Sequence, residues 1–109
     1  MIAVREYLAL DGKSPFRVWF NHLNAQAAAK VSVALTRLEN GNFSNVKGVG
    51  AGVYEQRIDF GPGYRIYLGK DGEQLVILLA GGTKTRQQND IEHAQAYWQD
   101  YKRRKRGGP

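Results

Sequence analysis

The sequence predicts an α+β domain: a helical hairpin, then a small, mostly antiparallel sheet, then a final helix, in the order β-α-α-β-β-β-α. Three observations predict it. Two apolar helical stripes meet at Asn24, a hairpin signature surrounds Gly61-Pro62-Gly63, and an unbroken apolar run spans Leu75–Ala80. At 109 residues without an internal repeat, the chain reads as one domain over residues 1–101 and a basic tail over 102–109.

Val4 to Leu10 reads as the first strand, closed by the turn pair Asp11-Gly12. Ser14 before Pro15 has the form of an N-cap with proline at the first helical position. Phe16, Trp19, Phe20 and Leu23 then fall at i, i+3, i+4 and i+7, which is one apolar helical face. Asn24 serves as a second N-cap. Ala27, Ala28, Val31, Ala34, Leu35 and Leu38 continue the period until Gly41 stops the helix.

Residues 41–52, rich in Gly and Asn, are expected to form a loop. Val53–Phe60 and Tyr64–Gly69 read as a hairpin, with Asp59 opposite Arg65, Ile58 opposite Ile66 and Arg57 opposite Tyr67. Alternation puts Glu55, Arg57, Asp59, Arg65 and Tyr67 on one polar face, expected to meet water. Leu75–Ala80 has the composition of a central strand covered on both sides, and Gly81-Gly82 is expected to end it. A last helix is expected from near Thr85, with Ile91, Ala94, Trp98 and Tyr101 as its apolar stripe.

Composition removes several function classes. With 42% hydrophobic and 24% charged residues the chain is not disordered throughout, and without cysteine it has no disulfide, thiol nucleophile or cysteine zinc site. No run approaches the roughly 18–20 apolar residues of a membrane span, and the N-terminus lacks a signal-peptide core, so the cytoplasm is the expected compartment. His22 and His93 lie in different helices without zinc-site spacing, so no metal is expected. Gly48-Val49-Gly50-Ala51-Gly52 precedes a strand rather than a helix, which excludes the nucleotide-binding glycine patterns, and no cofactor is expected. The net charge is +6, but Lys102-Arg103-Arg104-Lys105-Arg106 supplies +5 of it.

What remains is basic and aromatic. Arg57 and Arg65 share a sheet face, and Lys84 and Arg86 follow the central strand, so the four are placed to converge on a phosphate. Tyr67 offers a stacking surface to a base, and Lys102, Arg103 and Arg104 are placed to neutralise RNA phosphates. The same residues also fit a solvated face, with Asp59 pairing Arg65 and Glu55 offsetting Arg57.

The segment Val53–Tyr67, with its Gly61-Pro62-Gly63-Tyr64-Arg65 turn, resembles the hairpin of the RelE/HigB-type toxins of type II toxin–antitoxin systems. Leu78-Leu79-Ala80-Gly81-Gly82-Thr83-Lys84, then Gln88-Asn89-Asp90-Ile91, is similar to the same family, in the branch called addiction-module killer proteins. The resemblance covers nearly the whole chain. It implies a RelE-like toxin that cleaves mRNA on the ribosome, inhibits translation and is neutralised by a cognate antitoxin with a helix-turn-helix domain. Promoter DNA is contacted only through that antitoxin, and no membrane is involved. Carried over by position, Arg57, Arg65 and Lys84 match the basic residues that bind and polarise the scissile phosphate, while the RNA 2′-hydroxyl attacks. Glu55 stands where the pattern has another basic residue, and Asp90 near where it has a catalytic tyrosine, which implies slow cleavage or a different base, with Glu55 and His93 as the candidates. The sibling ParE-type toxins share the fold but act on gyrase, so a non-nuclease toxin of the same fold, or an inactive binding module, are the alternative readings.

Overall fold

A computed structural model of the chain describes residues 1–107. Its elements are β1 (Ala3–Glu6), α1 (Pro15–Asn21), α2 (Ala25–Glu39), β2 (Val46–Gly50), β3 (Val53–Ile58), β4 (Tyr64–Lys70), β5 (Leu75–Thr83) and α3 (Gln87–Gly107), with a 3₁₀ turn over Lys84–Arg86. The strands form one sheet in the order β1-β5-β4-β3-β2, antiparallel except where β1 runs beside β5.

Both predicted caps are present. Ser14 Oγ accepts from the Arg17 amide at 3.0 Å, and Asn24 Oδ1 accepts from the Ala27 amide at 2.9 Å, so each helix starts with one orphan donor satisfied. The stripes of α1 and α2 bury Phe16, Val31, Ala34 and Leu38 against Ile66, Leu68, Val76 and Leu78 on one side of the sheet. On the other side, Ala94 and Trp98 of α3 close over Val53, Tyr67, Ile77 and Leu79. Burying β5 on both faces is what its unbroken apolar run requires.

The structure departs from the sequence reading at six places. The first strand is Ala3–Glu6, shorter than Val4–Leu10: the Tyr7 amide still donates to Leu78 O at 2.9 Å, but Ala9 then bonds to Lys13 O in a turn rather than to β5. Residues 46–50 form β2 on the far edge of the sheet, where loop was expected. A tight turn makes this possible, with φ of +100°, +55° and +81° at Gly50, Ala51 and Gly52. The hairpin register is shifted by two residues: Arg57 faces Arg65, Glu55 faces Tyr67 and Gln56 faces Ile66, because the connection spans residues 59–63. The shift is even, so the predicted faces survive while the predicted pairs do not.

Gly81 and Gly82 lie inside β5 rather than ending it. They admit close neighbours instead: a Cβ on Gly81 would stand 2.1 Å from Trp19, and one on Gly82 1.9 Å from Asp90 Oδ2. The face carrying Glu55 and Tyr67 is not open to water, since α3 covers it and both side chains are fully buried. Finally, residues 102–107 are not a tail but the last turns of α3. Gly108 and Pro109 of the expected tail lie outside the described residues.

Candidate phosphate-binding cleft

The connection between β3 and β4 folds back on the end of β5. Lys84 donates its amide to Gly63 O at 3.2 Å, which fixes the start of the 3₁₀ turn beside the hairpin. Beneath that contact lies a cleft of about 320 Å³ lined by Arg57, Asp59, Phe60, Gly63, Arg65 and Lys84. Three side chains singled out by their type and spacing thus converge on one concavity. Arg86 does not line it; it is exposed on the same turn and acts electrostatically on Asp90.

Arg57 and Arg65 are direct cross-strand partners, an arrangement that like charges disfavour. Each is drawn to its own carboxylate. Arg57 lies 3.9 Å from Asp59, both largely in water, whereas Arg65 lies 3.5 Å from Glu55, whose side chain is fully buried. Glu55 also accepts from Gln87 Nε2 at 2.7 Å and has Lys47 Nζ at 4.0 Å. The predicted pairing of Asp59 with Arg65 is therefore replaced by Asp59 with Arg57 and Glu55 with Arg65. The net effect is a positive cleft mouth with its counter-charge buried on one side and solvated on the other.

The expected stacking role of Tyr67 is not available to it. Its ring is fully buried in the core, and its hydroxyl has no hydrogen-bond partner. Burial, then the nearby Glu55 and Asp90 carboxylates, push that hydroxyl well above the ordinary tyrosine range. The aromatic ring on the cleft wall is Phe60, half-buried, with Lys30 Nζ 5.4 Å from its centroid. Asp90, on the first turn of α3 against Gly82, has its carboxyl pushed up by burial. Glu55 and His93, the two residues left as a general base, both lie outside the cleft lining, Glu55 beneath it and His93 on α3 beside Tyr97. Asp59 is the carboxylate on the lining itself.

Lys102, Arg103 and Arg104 belong to a different region. Gln87 starts α3 beside the cleft, so Arg104 stands about 25 Å further along the helix at 1.5 Å per residue. There the cations are engaged. Arg104 meets Asp100 at 2.6 Å and lies over the Tyr7 ring, Arg103 also meets Asp100, Lys102 lies over Trp98, and Lys105 meets Asp71 at 2.6 Å. Tyr7 and Tyr101 donate to the same two carboxylates, each at 2.6 Å. These contacts hold Asp71 and Asp100 below the usual carboxylate range, with the Lys105 bond leading at Asp71 and the Tyr7 bond leading at Asp100.

Among the described residues no three His, Asp or Glu side chains are grouped to hold a metal ion, and no helix is long and apolar enough to cross a membrane. No family model matches the chain. A Haemophilus influenzae protein described as an uncharacterized protein is 44% identical over 86 residues, covering 78% of this chain and 87% of that one.

Proposed function

The chain belongs to the same family as the Haemophilus influenzae protein, and we propose that it is the toxin of a type II toxin–antitoxin system, a ribosome-dependent mRNA endoribonuclease. The observation that carries the reading is the convergence of Arg57, Arg65 and Lys84 on one cleft at the hairpin turn. A dianionic, pentavalent phosphate is the species such a cluster favours, because preorganised cations stabilise charge as it develops. In the reaction the RNA 2′-hydroxyl oxygen forms a bond to phosphorus and the P–O5′ bond breaks. The products are a 2′,3′-cyclic phosphate and a 5′-hydroxyl, with one proton leaving the nucleophile and one reaching O5′. Arg57, Arg65 and Lys84 hold the phosphate in line, and Phe60 gives a flanking base a ring to stack on. The implied partners are the ribosome, mRNA and a helix-turn-helix antitoxin that masks the cleft.

The decisive experiment expresses the chain with and without its neighbouring gene and maps mRNA 5′ ends. Arg57→Ala and Lys84→Ala are the informative variants, since both side chains are exposed and their loss leaves no cavity. Arg65→Ala is a poor probe: it strands the buried Glu55 carboxylate, a loss of about 3–5 kcal/mol that threatens the fold itself. Growth arrest with new 5′ ends, both lost in the two variants, supports the reading. Arrest with intact transcripts favours instead a non-nuclease toxin, the outcome to which Asp90 near the position of the catalytic tyrosine points.

A further inference from the structure

We propose that Glu55 is a positioning residue whose buried carboxylate holds the Nε edge of Arg65 and thereby turns the Nη edge of that guanidinium to the cleft as its phosphate-binding edge. The inference rests on the phosphate-binding reading of the cleft and adds to it a residue outside the lining.

A fully buried carboxylate at the middle of a sheet is costly unless it is paired. Glu55 has polar neighbours on three elements: the cations Arg65 of β4 at 3.5 Å and Lys47 of β2 at 4.0 Å, and the neutral donor Gln87 of α3 at 2.7 Å. Yet Glu55 Oε1 and Arg65 Nε both lack a hydrogen-bond partner. The ion pair runs from Nε to Oε2, the oxygen that also accepts from Gln87, so Oε1 is left without a hydrogen-bond partner. The guanidinium has five donors in a fixed fork, so committing its Nε side to Glu55 decides where the other side points. Arg65 Nη1 lies 3.7 Å from where a Cβ on Gly63 would stand, and Gly63 lines the cleft. The donors left over therefore lie at the cleft.

The opposing Arg57 supplies the reason an anchor is needed. Two cross-strand cations repel, and the carboxylate is the charge that offsets this repulsion on Arg65 when the cleft is empty. Glu55 makes the unfavourable juxtaposition persist between ligands. Because the carboxylate is buried, no substrate atom reaches it, and it acts only through Arg65.

The test uses the full chain labelled with ¹⁵N and follows the Arg65 Nε–Hε signal while inorganic phosphate is added. In the wild type the signal persists and moves saturably with phosphate. Glu55→Gln keeps the shape and removes the charge; the expected result is a folded protein whose Arg65 signal is broadened by exchange and whose phosphate affinity falls about tenfold. If that variant does not fold, Glu55→Asp carries the test, retaining the charge but withdrawing it by one methylene, with an intermediate loss of affinity. A folded variant with an unchanged Arg65 signal and wild-type phosphate binding overturns the proposal. Cleavage assays on the same proteins separate the two readings: a wild type that binds phosphate through Arg65 but leaves ribosome-bound mRNA intact refutes the nuclease and leaves Glu55 in place.

Discussion

Replacing Gly81 with alanine tests how the sheet holds α1. The added Cβ would stand 2.1 Å from Trp19 Cε3 and 2.4 Å from both Cδ2 and Cζ3. Ordinary carbon contacts begin near about 3.5 Å, so the indole must recede by more than an ångström. It has little room, since Phe16 lies 5.7 Å and Tyr64 6.3 Å from it, centroid to centroid. Overpacking of this kind costs about 1–3 kcal/mol. For a domain near 100 residues that lowers the melting temperature by roughly 5–20 °C. Urea unfolding followed by tryptophan fluorescence measures the loss. Gly48→Ala is the control, because its Cβ would meet only Tyr54 Cε2 at 4.0 Å; it is expected to be neutral or slightly stabilising. Adding Trp19→Leu to Gly81→Ala makes room and is expected to recover part of the loss beyond additivity. A Gly81→Ala protein within about 0.5 kcal/mol of wild type refutes the close approach of α1 to β5.

Tyr67→Phe removes a buried hydroxyl that has no hydrogen-bond partner, so stability is expected to stay level or rise by up to about 1 kcal/mol; a large loss restores a polar role to Tyr67. At acid pH, Asp71 and Asp100 have folded pKa values below their unfolded ones, so their contribution is present above the ordinary carboxylate range and is lost as pH falls through the depressed values. Asp71→Asn is expected to flatten that limb of the stability–pH profile. At alkaline pH the Tyr101 hydroxyl, pushed up to about 12 chiefly by burial, contributes stability that is lost between pH 10 and 12, and Tyr101→Phe is expected to flatten that limb. Truncation after Tyr101 removes the cations from Asp71 and Asp100, and is expected to lower the melting temperature by an amount that shrinks as salt is added.

The elements whose signals are local were legible. Ser14-Pro15 and Asn24 announce helix starts because a cap is a property of three or four residues, and Leu75–Ala80 announces burial on both faces because nothing polar interrupts it. β2 was not legible, since Gly48 and Gly50 carry no β-propensity and the strand exists only through pairing with β3. The hairpin register escaped because a five-residue connection and a three-residue one leave the same alternation. Arg57, Arg65 and Lys84 line one cleft because β4 pairs with β5, which brings the end of β5 beside the hairpin turn; Arg86, two residues further on, does not line it. Glu55 was read as solvated because alternation says which side a residue faces, not what lies there. α3, the element that buries it, presents Gln87 to it rather than an apolar side chain. Likewise the basic run 102–106 reads as a tail until Asp71 and Asp100, distant and close in sequence, are seen to hold it.

The parallel seam between β1 and β5 has a consequence for biosynthesis. Ala3 is the neighbour of Leu75 and Glu6 of Leu78, so the first strand made waits for a partner synthesised roughly 70 residues later. Lys84, which completes the cleft, and Gln87, which holds Glu55, follow later still. At about 5–20 residues per second, the stretch from Leu75 to the end of α3 takes on the order of a few seconds to make. At the start of that interval a nascent chain lacks Leu78 and its neighbours, so it has neither a closed sheet nor a finished cleft. A prematurely released product ending before Lys84 therefore keeps the hairpin wall of the cleft but lacks its Lys84 side and the Gln87 partner of Glu55.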